Sequence, residues 1–163
     1  MALLRYFISF LVLSWIAAGS AVGVQQQPGN QSSHDSTRAT GYDKAFKLLQ
    51  SGKNVEALAE IDASLATSPR NATLHNLRGL VTSQLGRKSE AEASFRKVIE
   101  LLPNAPMGYN NLGTFLAGEG RFPEAEHVFQ TALKIDPGNF TTLLGLGVTL
   151  ATLRRNAEAL PHL

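Results

Sequence analysis

The sequence predicts an all-α fold built as a stack of helix–turn–helix units, and three observations carry that expectation. Tyr109, Leu112, Gly113 and Leu116 place a bulky knob and a glycine notch on neighbouring faces of one helix. Ala125, Phe129 and Ala132 then follow at the i, i+4, i+7 spacing of a single apolar stripe on a second helix. Finally, Pro69, Pro103 and Pro137 recur every 34 residues, as do Gly52, Gly86 and Gly120. A fixed period of this length marks a repeat architecture in which each unit buries its apolar face against its neighbours.

The chain has 163 residues, 44% hydrophobic and 17% charged, which is globular composition. Met1 to about Val24 stands apart from it. Arg5 gives a short positive start, Tyr6 to Ala18 is almost continuously apolar, and small residues follow through Gly23. That is the layout of a secretory signal peptide over residues 1–23, with cut sites after Ala21 or Gly23. An uncleaved signal anchor is the alternative, because Tyr6 to Val24 approaches the ~20 residues that span a bilayer. Export to a periplasmic or extracellular compartment is therefore expected, with membrane contact only through such an anchor.

Losing Arg5 lowers the net charge from +2 to +1. No Lys/Arg cluster remains to mark a nucleic-acid footprint. There are no cysteines, so stability must come from packing without disulfides or thiolate metal sites. Residues 24–40, rich in Gln, Ser, Asn and Thr and without apolar periodicity, read as a flexible polar linker.

The repeating units then follow in order. In the first, Ala45 and Leu48 precede the Gly52 turn, and Ala57, Ile61 and Leu65 lead to Pro69. Gly41, Lys44 and Lys47 make its first helix polar, as suits a terminal unit. In the second, Gly79 and the Leu85-Gly86 turn precede Ala91, Phe95, Val98 and Pro103. Arg78 stands where the third unit has Leu112, and its stem is expected along the apolar surface with its head in water. The fourth unit keeps Leu143, Leu146, Gly147, Leu150 and Ala159 but has Arg154-Arg155-Asn156 at its turn.

Asn54 and Asn156 are candidate N-caps of second helices, and Ser89-Glu90-Ala91-Glu92 has capping-box spacing. Glu56, Glu90, Glu124 and Glu158 recur at the same period and read as first-turn acids favoured by the helix dipole. Prolines 69, 103 and 137 close each second helix, since the residue before a proline disfavours helical geometry. Leu143, Leu146, Leu150 and Leu160 are expected to lack a following neighbour, so the chain is expected either to be a fragment or to self-associate through this end.

The bulky residue, Leu-Gly, Ala, Phe, Ala and Pro of Tyr109–Pro137 resemble a tetratricopeptide repeat. The resemblance implies a right-handed α-solenoid of about 3.7 repeats, near 38–71, 72–105, 106–139 and 140–163, forming a domain over 41–163. It also implies a concave groove, lined by first helices, that receives a peptide or helix of a partner protein. The groove positions carry over to Tyr42, Phe46, Asn76, Leu80, Asn110, Thr114, Leu144 and Val148, none of them charged. Relatives that grip a C-terminal carboxylate use a Lys/Asn/Arg clamp. Here Asn111 alone matches, without flanking basic residues, which excludes that mode.

Catalysis is not expected. His34, His75, His127 and His162 are well separated with no metal spacing, and neither a nucleophile elbow nor a phosphate loop occurs. The glycines of Gly113–Gly118 and Gly145-Leu-Gly147 follow no strand and read as packing residues. Asn30, Asn71 and Asn139 begin glycosylation-type triplets, with Asn71 and Asn139 read as turn residues. No cofactor is implied. The expected function is a non-catalytic interaction scaffold. The alternatives are the recognition arm of an exported enzyme whose catalytic domain lies beyond residue 163, and an assembly factor in an envelope complex.

Overall fold

The computed structural model describes residues 34–162, with side chains from residue 41. The expected signal peptide and the first part of the linker lie outside the described residues. Helix α1 (His34–Gln50) begins within the stretch expected to be a linker. It is followed by α2 (Asn54–Thr67), α3 (Ala72–Gln84), α4 (Lys88–Leu101), α5 (Pro106–Gly118), α6 (Phe122–Ile135), α7 (Phe140–Thr152) and the short α8 (Asn156–Ala159), which runs into a 3-10 turn at Leu160–His162. Each odd-numbered helix pairs with the next helix, and the pairs stack in chain order as an α-solenoid.

The turns inside the pairs share one geometry. Gly52, Gly86 and Gly120 hold φ near +75° (73°, 73° and 77°), where a Cβ would clash with the backbone. The amide three residues past each helix then reaches back, as in Lys53 N–H to the Leu48 carbonyl at 2.9 Å, Arg87 to Thr82 at 2.8 Å and Arg121 to Leu116 at 2.9 Å. The fourth turn makes the same bond, Arg155 N–H to Leu150 at 2.9 Å, but Arg154 takes φ 59° in place of a glycine. The departure expected there is therefore one of residue type alone.

The caps differ from expectation. Asn54, Ser89 and Asn156 lie within the first turns of α2, α4 and α8, and the capping positions are Lys53, Arg87 and Arg155. Those residues lack a short side-chain acceptor. Each instead pairs with the glutamate three residues on: Lys53 with Glu56, Arg87 with Glu90, and Arg155 with Glu158. Arg121 does the same with Glu124. The periodic glutamates thus serve an ion pair as well as the dipole. Side-chain caps occur between repeats, where Asn71 accepts from the Thr73 and Leu74 amides and Asn139 from the Thr142 amide. Asn71 and Asn139 are turn residues, as expected. Pro69, Pro103 and Pro137 each fall two residues past their helix.

The core is divided in two. Ala45, Leu58, Ile61, Leu77 and Val81 form one cluster across repeats one and two. A larger one runs from Ala91 and Phe95 through Leu112, Phe115, Leu116, Ala125 and Phe129 to Leu146, Leu150 and Ala159. Its pivot is Phe129. A Cβ on Gly113 of the same repeat would lie 2.7 Å from its ring, and one on Gly145 of the next repeat 2.6 Å away. Both glycines are packing residues. Gly118 differs, being exposed with open space around it.

Leu146 and Leu150 are each 3% exposed, covered from within by α6 and α8 rather than left open. What α7 presents outward is a different set: Phe140 at 76%, Leu144 at 43% and Val148 at 53%.

Candidate functional site

The face formed by the first helices holds most of the expected groove residues, each placed by its position in the repeat. On α1, Tyr42 and Phe46 are one turn apart and half-buried, their rings stacked with centroids 6.1 Å apart and planes 11° from parallel. Burial, and then the neighbouring Asp43 carboxylate, raises the Tyr42 hydroxyl above its ordinary pKa, so it is a neutral donor across physiological pH. Leu80 on α3 rests half-buried on the larger core cluster. Thr114 on α5 and Leu144 and Val148 on α7 are exposed.

Asn76 and Asn110 do different work from the peptide contacts expected of them. Asn76 is half-buried and accepts a hydrogen bond from the Asn111 side-chain amide, tying α3 to α5. Asn111, the lone match to a carboxylate clamp, is thereby committed to the array. Asn110 is only 3% exposed and is not a groove residue. Its amide donates to Asn139 Oδ1 at 3.1 Å, and its carbonyl oxygen accepts from the Thr142 hydroxyl at 2.6 Å. Asn139 in turn donates to Asp136 at 3.1 Å. A buried amide must spend its donors and acceptors on partners, and here they bind repeat three to repeat four.

Phe140 was absent from the expected groove set, although it is the most exposed aromatic side chain among the large hydrophobic residues described. The signal for it was its spacing: four residues before Leu144 and eight before Val148, on one face of α7.

Charge collects on the second helices, where it is largely neutralised. Arg121 bridges repeats by donating to Glu92 while also holding Glu124. Its hydrogen bond, foremost, and that of Arg96 keep the Glu92 carboxyl below its ordinary pKa against the opposing effect of burial. Arg155 repeats the device one unit on, with Glu126 and Glu158.

Arg78 departs from expectation, because its head, though partly exposed, is bound into a polar cluster rather than left to water alone. The guanidinium donates to Asp62 at 2.8 Å, Ser94 at 3.1 Å and Glu90 at 2.9 Å. Burial works against its charge, but the bonds to Asp62 and Glu90 outweigh that and raise its pKa. This cluster floors an open trough of about 530 Å³ that His75 and Lys97 also line. Arg78 is tied to Asp62, Ser94 and Glu90, while a ring nitrogen of His75 lies 2.9 Å from the Pro69 carbonyl oxygen. Among the described residues no three metal-ligating side chains converge, and no helix is long and apolar enough to cross a membrane.

Two family models described as tetratricopeptide repeat match residues 42–106 and 106–139, together more than half of the chain. The chain belongs to the tetratricopeptide repeat family. It is 31% identical over 112 residues to the human tetratricopeptide repeat protein 6, covering 69% of this chain and 21% of that protein. It is likewise 31% identical over 119 residues to the Hsp70-Hsp90 organizing protein of Triticum aestivum, covering 73% and 20%. The chain thus spans about a fifth of the length of these two curated relatives. Among solved structures, the second TPR domain of human RPAP3 in complex with an HSP70 peptide superposes with a TM-score of 0.63 at 23% identity, over 71% of this chain and 96% of that one. The tetratricopeptide units run through the described solenoid, and the aligned RPAP3 domain shares that fold.

Proposed function

We propose that this chain is a non-catalytic interaction scaffold that receives an uncharged peptide or helical segment of a partner protein on its first-helix face. The observation that carries this reading is the contrast between faces. Tyr42, Phe46, Leu80, Thr114, Leu144 and Val148 offer apolar and hydroxyl contacts without charge, while the second helices tie off their charges in pairs such as Arg121 with Glu92. Apolar anchors with a few hydrogen-bonding groups are the chemistry of peptide and helix docking. The HSP70 peptide held by the RPAP3 domain supports peptide recognition on such an array. The partner class differs, because Asn111 is committed to Asn76 and no basic residue flanks it to hold a terminal carboxylate.

Selection from a random peptide display library on the purified chain tests this. Enriched peptides should be apolar and uncharged at their centres, and their affinity should change less than about threefold between 0.05 and 0.5 M salt, since no ion pair is screened (roughly one order of magnitude in salt). Leu80→Glu should abolish capture, whereas Lys97→Glu on a second helix should not. Enrichment of acidic C-terminal peptides with a steep salt dependence would overturn the reading.

The apolar stretch of residues 1–23 supports export to a periplasmic or extracellular compartment. The mature protein is expected to begin at Val22 or Val24, and recovery of Met1 on N-terminal sequencing would exclude cleavage.

A further inference from the structure

Two rows of side chains run along the first-helix face from the first repeat to the second. Tyr42 on α1 and Asn76 on α3 hold one position, 34 residues apart, and Phe46 and Leu80 hold another, one turn further along each helix. The first row is polar and the second apolar. Ala45 of α1 shares a core cluster with Leu77 and Val81 of α3. The two helices are therefore packed neighbours, with axes roughly 8–10 Å apart.

The polar row consists of donors. Asn76 Oδ1 already accepts from the Asn111 side chain, which leaves its amide N–H groups as what it can offer a ligand. The Tyr42 hydroxyl is a neutral donor on a ring stacked against Phe46. A segment lying across α1 and α3 must therefore bring carbonyl oxygens to one row and hydrocarbon to the other, once per helix, at a repeat of roughly 8–10 Å.

A helical ligand fails the first demand. Its carbonyls are spent on its own amides, so both donors would be desolvated without partners. A β-strand repeats every two residues, about 6.6 Å, which is out of step with the helices, and it sets N–H groups against donors. A polyproline II segment repeats every three residues, about 9 Å, leaves every carbonyl free, and carries no N–H at proline. Its pyrrolidine rings suit the aromatic surface of Tyr42 and Phe46, as in other aromatic-lined grooves.

We infer that the groove receives a proline-rich segment in the polyproline II conformation, seated across α1 and α3 with carbonyls on Tyr42 and Asn76 and rings on Phe46 and Leu80. This rests on the groove reading proposed above and narrows its ligand from any uncharged peptide or helix to one backbone conformation.

Anisotropy titration of the purified chain against labelled decaproline, blocked at both ends so that it carries no charge, tests the assignment. An equally long and equally blocked alanine–glutamine peptide, which favours the helix, is the comparison. Decaproline should bind at least about tenfold more tightly, because two donors go unanswered in the other complex. Tyr42→Phe keeps the ring and removes only the hydroxyl, so it should weaken decaproline about fivefold, the worth of one hydrogen bond, with the urea midpoint unchanged. Phe46→Ala should weaken it about tenfold or more with helical circular dichroism unchanged. Equal affinity for the alanine–glutamine peptide, decaproline binding indifferent to Tyr42→Phe, or no decaproline binding would each overturn the inference. In any of these cases, display-selected apolar peptides whose capture is still lost in Leu80→Glu would leave the groove reading standing, whereas absence of all capture would remove both.

Discussion

Phe129→Ala should destabilise the chain by about 3–5 kcal/mol, the range for removing a fully buried aromatic side chain. Phe129 is 1% exposed, and two glycines on different repeats approach its ring so closely that no Cβ fits at either. Removing the ring therefore opens a cavity that α5 and α7 both line, and neither can collapse into it without shifting a whole helix. The loss should appear as a lower urea midpoint, and a change within ~0.5 kcal/mol would contradict the packing assignment. A double-variant cycle isolates the contact. Gly145→Ala on its own forces a methyl into the ring, because the Cβ would lie 2.6 Å away. In the Phe129→Ala background the same methyl enters the vacated space, so the two effects should fail to add, with the pair less destabilised than their sum.

The repeat was legible because its signals are steric and therefore periodic. A residue that must take positive φ has few alternatives to glycine, and Gly52, Gly86 and Gly120 declared the turns. An aromatic ring that fills a notch needs the notch, so Gly113 and Phe129 announced each other across the turn. Even Arg154 fits the rule, since it adopts the same backbone in a turn otherwise closed by the same hydrogen bond.

Polar side chains were less legible, because their partners lie far away in the chain and no period marks them. Arg78 reads as a solvated arginine on an apolar face, but Asp62 and Ser94, each 16 residues away, and Glu90, 12 away, accept its hydrogen bonds. The capping signals misled for a related reason. Asn54, Ser89 and Asn156 have the right chemistry one or two residues too late, and the positions before the helices hold long cations that act through glutamates instead. The open end was misread in its details. The expectation placed exposure on Leu143, Leu146, Leu150 and Leu160; Leu160 is exposed and Leu143 half-buried, but α6 and α8 cover Leu146 and Leu150, and Phe140, Leu144 and Val148 are exposed as well.

Asn110 shows how a position's location and its role can part, and it supports the second large effect. The first-helix mapping put Asn110 on the groove, but its amide is spent on Asn139 and Thr142. Asn110→Asp keeps the shape and exchanges the donor for an acceptor. At neutral pH the new carboxylate would face the Asn139 oxygen that the amide had donated to, at 3.1 Å, in a site 3% exposed. The Thr142 hydroxyl still donates to one carboxylate oxygen, but the other faces an acceptor, and burying that charge against it should cost about 3 kcal/mol or more. Burial raises the pKa of such a carboxyl in the folded state above its unfolded value. The unfolded chain therefore gives up the proton first, and the penalty develops as pH rises past the unfolded pKa, becoming complete above the folded one. Lowering the pH should restore stability, since a protonated Asp can donate to Asn139 as the amide did. Urea midpoints at pH 7 and pH 4.5 read this directly: the gap to the unsubstituted chain should narrow in acid. Amide exchange should locate the damage at α7, whose link to α5 runs through Thr142, while α3 and its Asn76–Asn111 bond keep their protection. If Asn110 were a groove residue instead, the same change would weaken peptide capture and leave both the midpoint and the α7 amides where they were.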